Sequence, residues 1–309
     1  MKNVRIVFFV LMLQVLIIPT LCSAQLQEKW EEITLPTNNL EIKTIAVDPT
    51  DPHTFYLGST RNILKTRDFG KSWKNILTVK GSFRHVNSIA IDKAAPQIIY
   101  AGTQDGLFRS KNWGKNWRKI FKGIGSLRKD VRCILLNIKN QNTIYIGTKD
   151  GLFISKDIGR TWSKPNGEIS NIQINHIASY ANSIFAATNH GVFESKNGTK
   201  SWDKTFIATD ASTDESIYET SDDTTDNETA TYSSKTPNCL LVNVKGLYVG
   251  TNSGVFFRRH TEQTWNKITT AGLTNDKVLS LLMLENETIY AATAGGVFKI
   301  SETDTRWTE

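Results

Sequence analysis

Ile98-Ile-Tyr-Ala-Gly-Thr-Gln-Asp-Gly-Leu-Phe-Arg-Ser-Lys-Asn-Trp-Gly-Lys-Asn-Trp117 is the stretch from which the fold can be read. Two short β-branched and aromatic runs, Ile98 to Thr103 and Leu107 to Ser110, flank the pair Asp105-Gly106. That pattern marks antiparallel strands joined by a tight turn in which glycine supplies a positive φ. Upstream, Ser88-Ile-Ala-Ile-Asp92 reads as an earlier strand, and downstream Arg118-Lys-Ile120 reads as a later one. The unit is a four-stranded meander, its strands lettered A to D.

The same order recurs along the chain. Thr143-Ile-Tyr-Ile-Gly-Thr148 precedes Lys149-Asp-Gly-Leu-Phe153, and Gly246-Leu-Tyr-Val-Gly-Thr251 precedes Asn252-Ser-Gly-Val-Phe256. In the first copy Asn62 takes the glycine's place and is expected to tolerate the same positive φ. Trp30, Trp73, Trp117, Trp162, Trp202, Trp265 and Trp307 return at intervals of 40 to 45 residues, except for 63 between Trp202 and Trp265. Such self-similarity marks a stacked array of one supersecondary unit. Six copies of strands A to C begin near Thr44, Ser88, Cys133, His176, Cys239 and Ser280.

Four strands in each repeat is the size of a propeller blade, and a ring of blades hides sheet faces that one meander leaves wet. The expected fold is all-β, a β-propeller of four-stranded antiparallel blades. Six blades are expected, and the alternative is a seven-bladed ring, truncated. Trp30, in Glu28-Lys-Trp-Glu-Glu-Ile33, reads as an outer strand able to complete a closing blade. After residue 24 no amphipathic helix is legible, which argues against helical or leucine-rich solenoids.

Lys2 and Arg5 precede an apolar stretch from Ile6 to Leu21 and then Cys22-Ser-Ala24. This is the pattern of a secretory signal peptide over residues 1–24, cleaved near Ala24. The chain is expected to be secreted or periplasmic, with residues 25–309 as one propeller domain and no membrane span after cleavage. Cys22 lacks the neighbours of a lipid-bearing cysteine. Cys133 and Cys239 hold equivalent places two blades apart, beyond the roughly 7 Å Cα limit for a disulfide. Both are expected to be unpaired, buried thiols. The formal charge is +7, yet Phe206 to Ser234 carries eight carboxylates and no Lys or Arg. Residues 206–235 are therefore expected to be an acidic, disordered insertion. His53, His85, His176, His190 and His260 show no metal-ligand spacing, and no phosphate loop or nucleophile elbow is present. No cofactor and no metal are expected.

Ahead of the recurring Trp lies a second pattern. It reads Thr66-Arg-Asp68-Phe-Gly70-Lys-Ser-Trp73, Ser110-Lys-Asn112-Trp-Gly114-Lys-Asn-Trp117, Ser155-Lys-Asp157-Ile-Gly159-Arg-Thr-Trp162 and Ser195-Lys-Asn197-Gly-Thr-Lys-Ser-Trp202. The spacing suits a hairpin between strands C and D. There Asp or Asn bonds backbone N–H groups of its own turn, Gly takes the left-handed position, and Trp packs into the neighbouring blade. The last two copies are eroded, with His260, Glu262, Glu302 and Asp304 in these places.

This motif resembles the Asp-box, or bacterial neuraminidase repeat. Strings such as Val47-Asp-Pro-Thr-Asp-Pro52, Tyr100-Ala-Gly-Thr103 and Ala271-Gly-Leu-Thr274 are similar to exported propellers of the photosystem II stability/assembly factor and sortilin types. The resemblance implies a non-enzymatic binding or assembly platform. The motif specifies fold rather than activity. Sialidases, which lend the repeat its name, use three arginines, a Tyr/Glu pair and an acidic acid/base, with an Arg-Ile-Pro motif. Here the only Arg-Ile pair is Arg5-Ile6, with no Pro after it, and no Tyr/Glu pair accompanies Arg61, Arg84 and Arg132. A sialidase-like glycoside hydrolase remains one alternative, and a purely structural extracellular repeat module is another.

The loops joining B to C, and D to the next A, carry Arg61, Lys80, Arg84, His85, Arg128, Lys129, Arg132 and Lys149, with Asp105 and Asp150 as acidic exceptions. A one-sided basic field would attract an acidic protein segment or an anionic glycan. The expected partner is a protein with an acidic segment, bound by a monomer, and export disfavours nucleic acid.

Overall fold

The computed structural model describes residues 35–36, 41–81, 85–123, 130–137, 142–207, 235–284, 287–301 and 304–309. The signal segment, Trp30, Arg84, Arg128, Lys129 and nearly all of the 206–235 insertion lie outside the described residues.

Six antiparallel sheets follow one another along the chain, each in simple sequence order. The first holds β1 (Ile42–Asp48), β2 (Asp51–Ser59), β3 (Asn62–Thr66) and β4 (Lys74–Thr78). The second holds β5 (Val86–Ile91), β6 (Ile99–Thr103), β7 (Gly106–Ser110) and β8 (Arg118–Phe121). The third is β9 (Val131–Leu136), β10 (Ile144–Thr148) and β11 (Gly151–Ser155), and the fourth is β12 (Ile174–Tyr180), β13 (Ser183–Thr188), β14 (Gly191–Ser195) and β15 (Asp203–Ile207). β16 (Pro237–Val242), β17 (Gly246–Thr251), β18 (Gly254–Arg259) and β19 (Asn266–Lys267) make the fifth. β20 (Val278–Met283), β21 (Ile289–Thr293) and β22 (Gly296–Ile300) make the sixth. One 3-10 turn, Glu168–Ser170, is the only helical element among the described residues. The fold is an all-β, six-bladed propeller with blades of three or four strands. Blades one and two, with Asp130 and Val131, form one compact unit, and blades three to six from Arg132 onward form another.

Three details differ from the sequence reading. Strands A begin two residues early, because five of them carry a β-bulge between their first and third residues, as at Val86/Ser88 and Ile174/His176. A bulge inserts one residue and breaks the period-2 pattern by which a strand is recognised. The third and sixth blades have three strands rather than four, their outer segments reduced to the single bridges Ile154↔Ser163 and Lys299↔Thr308. In the third, Pro165 lacks the N–H that a continuing outer strand would donate. Asn62 does not adopt the positive φ of its glycine counterparts, such as Gly106 at 119° and Gly151 at 106°.

Five of the six B–C turns close on a threonine, and Ser59 takes its place in the first. The Thr103 hydroxyl donates to the Gly106 carbonyl at 2.9 Å and accepts the Asp105 N–H at 3.0 Å, and Thr148, Thr188, Thr251 and Thr293 repeat the first bond. Before Thr148 and Thr251 stands a glycine that admits the next blade. A β-carbon on Gly147 would lie 2.5 Å from Cys133 Sγ and 2.6 Å from Ile174 Cγ2, and one on Gly250 would meet Cys239 Sγ and Val278 in the same way. Both cysteines are thus core residues, buried and unbridged, and burial pushes each thiol up to about 12.

Candidate interaction surface

The C–D hairpins are built by two side chains. The first hydroxyl of each accepts an N–H four residues on: Thr66 from Gly70 at 2.8 Å, Ser110 from Gly114 at 2.9 Å, Ser155 from Gly159 at 2.7 Å and Ser195 from Thr199 at 3.0 Å. Two residues after it, Asp68, Asn112, Asp157 and Asn197 accept the N–H of Ser72, Asn116, Thr161 and Ser201. Two consecutive residues, not glycine alone, are left-handed: Phe69-Gly70, Trp113-Gly114, Ile158-Gly159 and Gly198-Thr199. The carboxylates add a bond from the Ser72 and Thr161 hydroxyls, which holds Asp68 and Asp157 down at about 2.

The hairpin tryptophans tie blades together. Trp117 Nε1 donates to the Ile76 carbonyl at 2.9 Å, Trp265 Nε1 to Thr205 at 2.6 Å and Trp307 Nε1 to Thr269 at 2.7 Å, each acceptor belonging to the preceding blade. Trp202 packs against the core of blades three and four, but its Nε1 is buried without a partner. The outer strand that would offer the carbonyl is the one cut short at Pro165. These residues are architectural.

A polar seam was not anticipated from the sequence. The bulge asparagines of strands A reach the next blade: Asn87 Nδ2 donates to Asp130 Oδ1 at 2.8 Å and to the Val131 carbonyl at 3.0 Å. Asn175 donates to the Pro237 carbonyl at 2.8 Å, and Asn238 to the Val278 carbonyl at 2.9 Å. The available signal was an Asn directly after the first strand A residue in three of the six copies.

The basic candidates fall at the B–C turn ends of their blades. In blade one the Arg61 carbonyl accepts the Val79 N–H at 2.8 Å, which sets the exposed Arg61 beside the exposed Lys80. His85 sits at the corresponding end of blade two, its carbonyl accepting the Gln104 N–H at 3.0 Å and its own N–H donating to Gln104 Oε1 at 3.3 Å. Arg132 belongs not to a projecting loop but to strand β9, half-buried, with Nε buried and unpaired. Lys149 is exposed in the turn after β10.

The acids of these turns are neutralised by lysines two residues after the hairpin Trp. Lys119 pairs with Asp105, and Lys164 Nζ lies 3.0 Å from Asp150 Oδ2. Lys204 lies 3.3 Å from Glu168, whose carboxyl is held below its ordinary value first by the His190 hydrogen bond and then by this lysine. Each of the three ammonium groups also covers a strand C ring, at 5.1 Å from Phe108, 5.0 Å from Phe153 and 5.2 Å from Phe193. The recurring Trp-x-Lys was the missed signal.

At the opposite ends, where A–B and C–D turns lie, two seams of the second unit hold cavities. One, of about 610 Å³ between blades three and four, is lined by Leu135, Tyr145, Tyr180, Ala181 and Lys196. The other, of about 840 Å³ between blades five and six, is lined by Tyr248, Phe257, Met283, Ile289 and Ile300. Between blades four and five the chain fills the corresponding space itself. Arg258, in the place of the hairpin hydroxyl, meets Glu194 at 3.3 Å, with both side chains less than 10% exposed, and His260 stacks on Tyr180 at 4.7 Å. No group of three or more His, Cys, Asp or Glu able to hold a metal occurs among the described residues, and no helix there is long and apolar enough to cross a membrane.

Residues 22–124 match the family described as Photosynthesis system II assembly factor YCF48. Among solved structures, YCF48 bound to D1 peptide is 16% identical, with a TM-score of 0.60 over 89% of this chain and 85% of that one. A GH74 enzyme of Niastella koreensis is 16% identical, with a TM-score of 0.63 over 86% of this chain and 46% of that one. The GH74 xyloglucanase of Xanthomonas campestris is 14% identical, with a TM-score of 0.67 over 86% and 46%. This chain thus spans less than half the length of either enzyme, and at such identities the likeness is one of fold. No curated protein sequence matches it. Its repeats, its six blades and the match over residues 22–124 agree: the chain is a six-bladed β-propeller that resembles the assembly-factor propellers.

Proposed function

We propose that this propeller is a non-catalytic scaffold that binds an acidic segment of a partner protein at its B–C turn ends. The observation that carries the reading is the charge balance there. Asp105, Asp150 and Glu168 are neutralised internally by Lys119, Lys164 and Lys204, while Arg61 and Lys80 stand exposed side by side on blade one. The match to an assembly-factor family and the peptide-bound neighbour support a protein partner. Replacing Arg61 and Lys80 by Glu should abolish binding of an oligoglutamate peptide, measured by fluorescence anisotropy, without changing the circular dichroism. Wild-type affinity should fall with salt, since the Debye length shrinks from about 10 Å at 0.1 M to about 3 Å at 1 M. Unchanged affinity in the double variant, or turnover of a fluorogenic sialoside that is lost in Arg132→Ala, would overturn the reading.

A further inference from the structure

Six non-glycine residues have positive φ among the described residues. Phe69, Trp113, Ile158 and Thr199 belong to the C–D hairpins. The remaining two, Ala181 at 51° and Glu287 at 64°, stand in the A–B connections of blades four and six, each on the lip of one of the two cavities. Backbone strain of this kind gathers at binding sites. Strain and space therefore coincide twice, at equivalent seams.

The cavity of blades five and six is the more sharply defined. Its floor is apolar and soft: Tyr248 and Phe257 stack at 4.5 Å, with Met283, Ile289 and Ile300 around them. Ile300 stands where an intact hairpin has its hydroxyl, so erosion of the motif made this wall apolar. The rim's two cations are paired, and its remaining carboxylate is bonded locally. Lys245 meets Glu287 at 2.5 Å, Arg259 meets Glu262 at 3.3 Å, and Asp304 accepts both the N–H and the hydroxyl of Ser301. With both cations paired and the remaining carboxylate negative, the rim offers an acidic segment nothing, and the apolar floor favours an uncharged occupant. The filled seam of blades four and five shows what the space takes, because there His260 lies flat on Tyr180 and its ring Nε2 bonds the Asn243 carbonyl at 2.7 Å. The volume exceeds one aromatic ring and suits a short stretch of chain around it.

We propose that the cavity between blades five and six docks an uncharged aromatic side chain carried by a partner polypeptide. The proposal rests on the reading of the propeller as a protein-binding scaffold, but it uses a different surface and no charge. N-acetyl-tryptophanamide titrated into the full chain should bind saturably in the millimolar range by calorimetry, weakened at least about tenfold in Met283→Trp, which fills the cavity. Lys196→Trp, in the other cavity, should leave that binding unchanged. Met283→Trp should keep the wild-type circular dichroism and the wild-type affinity for oligoglutamate. Capped tryptophan that binds while oligoglutamate does not would sink the acidic-partner reading and leave the pocket standing. Absence of saturable binding, indifference to Met283→Trp, or binding of 2-naphthol but not of the capped amino acid would overturn the pocket.

Discussion

One indole hydrogen distinguishes two otherwise equivalent tryptophans. Trp117 donates across its seam, whereas the Nε1 of Trp202 is buried and unpaired. Trp117→Phe should therefore cost about 1 kcal/mol more than Trp202→Phe in urea unfolding, the net worth of a hydrogen bond. Trp117→Ala should cost about 3–5 kcal/mol through lost packing. Lys65 presents the opposite case. It is 7% exposed, lies over the Tyr56 ring at 4.9 Å, and loss of hydration brings its amine down to about 8. A cation held so uncomfortably destabilises the fold at neutral pH, so Lys65→Met should raise the melting temperature. A fall would show that the ammonium has a compensating partner.

The strands A carry two sequence signals of opposite legibility. Their alternating apolar residues were readable from Thr44, Ser88, His176, Cys239 and Ser280, the residues just past each bulge. The bulged residue itself was invisible, because an inserted residue obeys no period, yet its re-aimed side chain bridges the blades at Asn87, Asn175 and Asn238. Asn238→Ala would leave the Val278 carbonyl unpaired and should cost about 1–3 kcal/mol, read as a shift in urea midpoint. Gly250→Ala should cost a similar amount by forcing Cys239 and Val278 apart. The hairpin turns, glycines and tryptophans were legible because local chemistry fixes them. The shortened third blade was not, since an outer strand is expected there from the repeat alone and Pro165 stops it only by lacking an N–H, and the lysines that neutralise Asp105 and Asp150 come from the outer segments, distant in sequence from those turns. Of the basic candidates, Arg61, Lys80, His85 and Lys149 fall at the turn ends anticipated, and Arg132 falls within a strand.

The whole molecule should show a stability that climbs with pH and then turns over. Asp68 and Asp157, held at about 2 against an ordinary 3.8, and His176, pushed by desolvation to about 4 against 6.5, bind fewer protons folded than unfolded. Their contributions are complete above the ordinary values and are lost as pH falls through the folded ones. Lys65 adds a further rise between 8 and 10.5, opposed above 9 by Cys133 and Cys239, whose raised thiols resist ionisation in the fold. Urea midpoints measured across pH should rise through the acid range and fall as the thiols ionise. Asp68→Asn with Asp157→Asn should flatten the most acidic part, because Asn112 and Asn197 already hold the same turns without charge. A profile indifferent to that double change would place the acid sensitivity elsewhere. The direction of the tryptophan bonds carries one more consequence. At the seams of blades one and two, four and five, and five and six, the indole reaches back to the preceding blade. A chain leaving the ribosome therefore delivers blades two, five and six to carbonyls of a blade made before them. At about 5–20 residues per second, each outer edge stays open to stray strands for only the few seconds its successor takes to be made.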